Sequence, residues 1–233
     1  MWSDWAGEAF GEQVDVLREG IPEALALAHR RARAVHDAGQ SRNNRVYGYA
    51  LLDFAHEEVV AAVREVAGGR VARLGAYELA VIAGKALFPL HYSEKAEPLE
   101  RARLRKPVSG VRRRLFEAHA AEVPDPDPFL DDSWAGLELA DSYEPFPQLG
   151  RNAELVVIAY ACNVEAGLLS IDWGYAEHVG DGELRWGAHS SLPLPSASGL
   201  VPAARDGRAR FDAAAQPGLE LGLRAAEEGA RHA

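Results

Sequence analysis

What the chain lacks narrows its class before any motif is considered. It has a single cysteine, Cys162, so no intramolecular disulfide can form, and a reducing cytoplasm is the expected setting. No apolar run approaches the 18 or so residues that a membrane-spanning helix needs. The N-terminus shows no basic segment leading into an apolar one, so export is not expected either. Basic residues are outnumbered, 25 Lys and Arg against 35 Asp and Glu, for a formal charge of −10. A surface of that sign argues against a general binder of nucleic acid or membrane. Lysine is scarce beside arginine, and alanine is abundant, a bias associated with GC-rich bacterial genes. The familiar catalytic signatures are missing too: no G-x-S-x-G, no Walker A, no G-x-G-x-x-G and no HExxH.

What is present centres on residues 154–194, which read as three consecutive strands, ELVVIAYAC, GLLSIDWGYAEHV and ELRWGAHSS. The first is apolar almost without interruption, the pattern of a strand covered on both faces. That places Cys162 in the core, where a thiol is ordinarily inert. The second and third flank Asp181-Gly182, a strong two-residue hairpin signal. The turn sets a register in which Gly180 faces Glu183, Val179 faces Leu184, Glu177 faces Trp186, Tyr175 faces Ala188 and Trp173 faces Ser190. One face is then apolar. The other carries Asp172, Gly174, Ala176 and His178 against Ser191, His189, Gly187 and Arg185. His178 lies across from Arg185, and His189 lies diagonal to Asp172 at roughly 7–8 Å. A solvated sheet face accounts for this pattern. A polar site in which Asp172 orients His189, with glycines leaving room for a ligand, is the functional alternative, and Asp172, His178 and His189 are its candidate catalytic residues.

The rest of the chain supplies covering elements. Helical spacing predicts a helix over 7–19, a second from Ile21-Pro22 to about Gly39, and a third over 46–66 that stops at Gly68-Gly69. Residues 71–92 favour a hairpin over a helix, with Gly84-Lys85 as a type II′ turn. That turn pairs Val81 with Phe88, Glu78 with His91 and Tyr77 with Tyr92, and Pro89 would confine the second arm to a sheet edge. Asp53, His56 and Glu57 share a helical face but lack a second histidine at metal-ligand spacing, so a polar helix face is expected and no metal site is assigned.

Two charged stretches stand out. Residues 101–114 hold Arg101, Arg103, Arg105, Lys106, Arg112, Arg113 and Arg114 with no acid, and Ser109 caps a helix predicted to about Ala121. Residues 122–144 then hold eight acids and no base. Arginines grip phosphate or carboxylate bidentately, so 101–114 is the candidate binding surface for a nucleic acid or an acidic protein partner. Neutralisation by the acidic stretch, or plain solvation of a helix face, is the competing account.

The expected fold is α+β. N-terminal helices pack on a mostly antiparallel sheet that ends in a three-stranded meander, in one domain over 1–233. Its parts are a helical half (7–66), a hairpin, basic helix and acidic loop (71–144), the meander (154–194) and a C-terminal helix (209–230). The expected function is recognition by a binding or accessory protein, without a cofactor. The alternatives are an acid–base or metal-dependent phosphodiesterase on the hairpin face, and an obligate subunit of an oligomer or hetero-complex that buries Trp2, Trp5 and Trp134. Asp172 followed by Glu183-x-Arg185 resembles the Asp…Glu-x-Lys set of restriction-endonuclease-like folds. The hairpin register puts Glu183 beside the turn, however, and an arginine is a poor proton acceptor.

Overall fold

A computed structural model describes residues 4–74, 77–121, 148–149 and 152–195. The acidic stretch 122–144 and the expected C-terminal helix 209–230 lie outside them, as do Trp2 and Trp134.

The helical half consists of α1 (Trp5–Phe10), a 3-10 turn at Gly11–Gln13, α2 (Val14–Ala38) and α3 (Arg45–Arg64). Asp4 caps α1 by accepting from the Gly7 amide at 3.3 Å. The break expected at Pro22 falls instead at Gly11, whose φ of +56° no continuing helix can adopt. Proline 22 lies buried inside α2. The hydrogen bond that its ring removes is outweighed by Leu17, Ile21 and Leu25, which anchor both halves of α2 in the core. As expected, α3 ends ahead of Gly68-Gly69, where Gly68 has φ +82°. Among the described residues no helix is long and apolar enough to cross a membrane.

Six strands form one sheet in sequence order: β1 (Arg70–Leu74), β2 (Tyr77–Ile82), β3 (Lys85–Ser93), β4 (Glu154–Asn163), β5 (Gly167–Gly180) and β6 (Glu183–Ser191). Every neighbouring pair is antiparallel except β3 and β4, which run parallel. The α+β architecture and the closing β4–β5–β6 meander therefore stand as read from the sequence.

Strand β4 is buried from Leu155 to Cys162. Val156, Ile158, Tyr160 and Cys162 face a core closed by α1, α2 and α3. Leu155, Val157 and Ala159 face a second core on the other side of the sheet. That second core is closed by Leu99, Ala102 and Leu104 and by Leu115 and Phe116 of α4 (Gly110–His119). The layers are thus helices, sheet, then the basic segment.

The first hairpin differs from expectation in its turn, its register and its place in the sheet. Ala83 and Gly84 form the loop with φ of +49° and +74°, both positive as in a type I′ turn. Val81 therefore pairs with Ala86, two residues short of Phe88. A shift of two preserves which side chains face which core. An additional strand, β1, adds to the outer side of β2. Strand β3 is interior, and Pro89 pairs with Ile158 of β4.

Proline tolerates this position because of what it ends. Alternation from the two-residue turn makes Glu78 and Pro89 the next hydrogen-bonding pair, and proline has no N–H to offer. The β2–β3 ladder stops at Ala80–Leu87. Buried His56 of α3 hydrogen-bonds the Glu78 backbone there and packs its ring edge-on against Phe88 at 5.6 Å. His56 is thus part of the sheet's interior and not of an outer polar face.

Burial lowers the His56 pKa to about 4, with the nearby Arg112 charge acting the same way. The folded state therefore resists a proton that the unfolded chain accepts near pH 6.5. The contribution is complete above that value and is lost as pH falls toward 4, to a total of roughly 3 kcal/mol. His29 and His91 are also depressed by burial and add to the same slope. Urea unfolding at pH 7.5 and 4.5 should show this loss, and the His56→Gln protein should show a shallower dependence on pH. At the turn, Ala83→Asn should raise stability by about 0.5–1 kcal/mol in the same assay, because asparagine accepts positive φ more readily than alanine.

Candidate functional site: the basic strap, its helix and the hairpin beside them

After the 3-10 turn Leu99–Arg101, residues 102–105 form an extended strap that leads to Lys106, and the composition of 101–106 alternates. Ala102 and Leu104 are buried at 0% and 1% exposure, while Arg101, Arg103 and Arg105 point outward. The strap is held at the tip of the β5–β6 hairpin, where the Leu104 amide donates to the Gly182 carbonyl at 2.7 Å and Arg103 bridges Glu183 antiparallel. Gly182 is required there twice over. Its φ is +81°, and a Cβ would sit 2.6 Å from the Leu104 carbonyl oxygen.

The hairpin tip also supplies countercharge. Arg103 pairs with Glu183 at 3.2 Å and Lys106 pairs with Asp181. That contact holds the Asp181 carboxyl below its ordinary pKa. Arg101 lies 4.0 Å from Glu97. These exposed pairs contribute little stability each.

Beyond Pro107 the chain enters α4. Ser109 is its N-cap, as predicted, and accepts from the Arg112 amide at 3.3 Å. Leu115, Phe116 and His119 turn inward, and His119 Nδ1 lies 2.9 Å from the Ala153 carbonyl oxygen. Arg112 is half-buried over a small crevice shared with His56, Leu74 and Phe88. Arg113 and Arg114 are exposed. Among the described residues no carboxylate pairs with Arg105, Arg112, Arg113 or Arg114.

The seven basic side chains predicted as a site thus divide. Among the described residues, Arg101, Arg103 and Lys106 are engaged by acids, whereas Arg105 and the three α4 arginines are not. Among the described residues, the acids that engage the strap belong to the hairpin tip and to Glu97.

The hairpin face departs from its simple register. Gly180 faces Glu183 and Trp173 faces Ser190 as expected, but two bulges lie between. Val179 is an extra residue on β5, and one extra residue on β6 lies between Trp186 and His189. The two offsets cancel at the ends and shift the middle by one residue. Glu177 consequently meets Arg185, with a 2.7 Å ion pair, and Ala176 meets Trp186. Trp186 and Leu184 join the second core, and Arg185 leaves the face assigned to it.

Asp172, His178 and His189 do lie on one face, each with a local bond. Asp172 accepts the Ser191 hydroxyl at 2.6 Å. His178 Nε2 accepts the Gly182 amide at 3.1 Å. His189 Nδ1 lies 2.8 Å from the Gly187 carbonyl oxygen. Gly174 leaves no ligand space, because a Cβ there would sit 2.4 Å from the His189 Cβ. The glycine serves the close approach of two strands at the bulge. Asp172 and Glu183 occupy opposite ends of the β6 pairing, which separates the two carboxylates of the nuclease-like pattern.

Among the described residues, no group of three or more His, Cys, Asp or Glu side chains is arranged to hold a metal. Glu57 and Glu58 both pair with Arg31 of α2, and His56 is turned into the sheet. Trp5, expected as an exposed anchor for another subunit, is 6% exposed and packs edge-on against Phe10 and Trp173 and tilted against Tyr175.

Two features had no signal in the sequence. A buried polar chain links His29 Nδ1 to the Tyr47 hydroxyl at 2.8 Å and that hydroxyl to Cys162 Sγ at 3.1 Å. Its members come from α2, α3 and β4, so only the fold brings them together. The second is a cleft of about 490 Å³ lined by Leu99, Glu100, Val179, Leu184, Trp186 and His189, among others. The alternation of Ala102 and Leu104 within the arginine run was readable and marks the strap as one-sided.

No family model matches the chain, and no curated protein or solved structure matches it either. Site chemistry therefore rests on the geometry above.

Burial raises the Cys162 thiol to about 11. A thiol held protonated and shielded should not react with Ellman's reagent at pH 8 in the folded protein. It should react fully once the chain is unfolded in urea, and rapid reaction of the native protein would contradict the placement.

Proposed function

We propose that the protein is a recognition module whose strap and α4 surface docks a phosphate-bearing or acidic partner. The observation that carries this reading is that Arg105, Arg112, Arg113 and Arg114 have no carboxylate partner among the described residues, in a chain of net charge −10. Packing supports it as well. Ala102, Leu104, Leu115 and Phe116 fasten the segment to the sheet, so its arginines project from a fixed base and not from a loose tail. A guanidinium presented on a packed element loses less freedom on engaging a phosphate or carboxylate.

The enzymatic alternatives have less behind them. Asp172 and His178 have their described bonds within the hairpin itself, and no metal-ligand cluster is present among the described residues. The subunit alternative retains only Trp2 and Trp134 of its three tryptophans, since Trp5 is in the core.

The test is binding to a fluorescein-labelled single-stranded oligonucleotide, and to an acidic peptide, over a salt series. Wild type is compared with a protein carrying Arg112→Ala, Arg113→Ala and Arg114→Ala. If the surface contacts phosphates, wild type binds with a steep negative salt dependence. The variant loses affinity, and its slope of log K against log salt falls by about 2. Loss with the peptide alone assigns a protein partner. Absence of binding to both at low salt, or equal binding by the variant, overturns the proposal.

A further inference from the structure

The cleft beside β6 borders the strap, since its lining residue Glu183 pairs with Arg103, and its walls are specific. Leu99 and Leu184 are nearly buried, Val179 is exposed at the rim, and Trp186 and His189 stand edge to face with ring centres 6.2 Å apart. Its volume of about 490 Å³ falls within the roughly 300–1,000 Å³ typical of small-molecule sites. Apolar walls with an aromatic side chain suit a flat, mostly apolar ligand.

The charges around the cleft do not cancel. Three ionisable side chains besides His189 line it: Glu100, Glu183 and Arg185. Glu183 is matched by Arg103, and Arg185 is matched by Glu177. Glu100 is exposed on the 3-10 turn Leu99–Arg101 and has no cationic partner among the described residues. Among the described residues Glu100 is therefore the lining carboxylate that no cation pairs with, and it is open to solvent. A protonated amine pairs with it, and the same cation is attracted by the indole face of Trp186.

We infer that this cleft binds a small aromatic amine in its protonated form. Its ring lies against Leu99, Leu184 and Trp186, and its ammonium group meets Glu100. An aromatic carboxylate of the same size is repelled from that position, and the neutral ring alone binds through its apolar contacts only.

The experiment uses the full chain and three probes of one ring system: tryptamine, neutral indole and indole-3-propionate. Binding is followed through the indole N–H resonances in nitrogen–proton correlation spectra, with the Trp186 signal assigned from the Trp186→Phe protein. Tryptamine should move the Trp186 resonance saturably, indole more weakly, and indole-3-propionate least. Glu100→Gln, an exposed change that leaves the core untouched, should weaken tryptamine about three- to fivefold without altering indole. The inference fails if the Trp186 signal stays in place up to about 10 mM tryptamine, beyond the millimolar range of fragment binding. It also fails if Glu100→Gln binds tryptamine as wild type does, or if the carboxylate binds as well as the amine. These readouts are separate from the salt series, which tests Arg112, Arg113 and Arg114 of α4.

Discussion

The parallel pairing of β3 with β4 is the constraint on which the remaining architecture rests. Two strands running the same way cannot be joined by a tight turn, so the chain must travel the length of the sheet before β4 begins. The helices α1, α2 and α3 already cover one face. The described part of the connection between β3 and β4, which contains the strap and α4, packs on the other. A segment that reads as a run of positive charge is therefore also the roof of a hydrophobic core. Both properties are reconciled by alternation in the strap and by helical period in α4, with small or apolar residues inward and arginines outward.

That arrangement has electrostatic consequences. Burial of Ala102, Leu104, Leu115 and Phe116 places seven cationic side chains on one side of a protein that is otherwise acidic. The hairpin tip neutralises part of this through Asp181 and Glu183. The two bulges between β5 and β6 leave the tip in the register set by its turn while moving Arg185 to pair with Glu177. Without the bulges Arg185 would share a face with His178 and add to the positive field. The tip thus serves as both a covalent turn and a counterion for the strap, and the arginines beyond Lys106 lie outside its reach.

A similar economy operates at Pro89. A proline in an interior strand would normally leave an unsatisfied carbonyl on its neighbour. Here the ladder ends where the proline begins, and His56 reaches from α3 to the Glu78 backbone. The cost is a histidine that must stay neutral, which links the stability of the sheet to acid pH.

Much of this fold was legible because local patterns acted alone. The apolar run Leu155–Cys162, the Asp181-Gly182 turn, the Gly68-Gly69 helix stop and the Ser109 cap each depend on a few neighbouring residues, and each appears where the sequence places it. Pro22, Pro89 and the β5–β6 bulges were read differently because their outcome depends on distant partners. Proline 22 stays in a helix because the sheet holds both halves of α2. Proline 89 sits inside the sheet because β4, far along the chain, pairs with its open side. The arginine run was legible as charge, but the pairing of Arg103 and Lys106 was decided by Glu183 and Asp181 arriving from the hairpin. The cleft at Trp186 and the His29–Tyr47–Cys162 chain join residues far apart in sequence, and no local pattern encodes them. Composition, turn chemistry and periodicity specify the elements. Long-range pairing, which places charges and cavities only once the layers close, decides the sites.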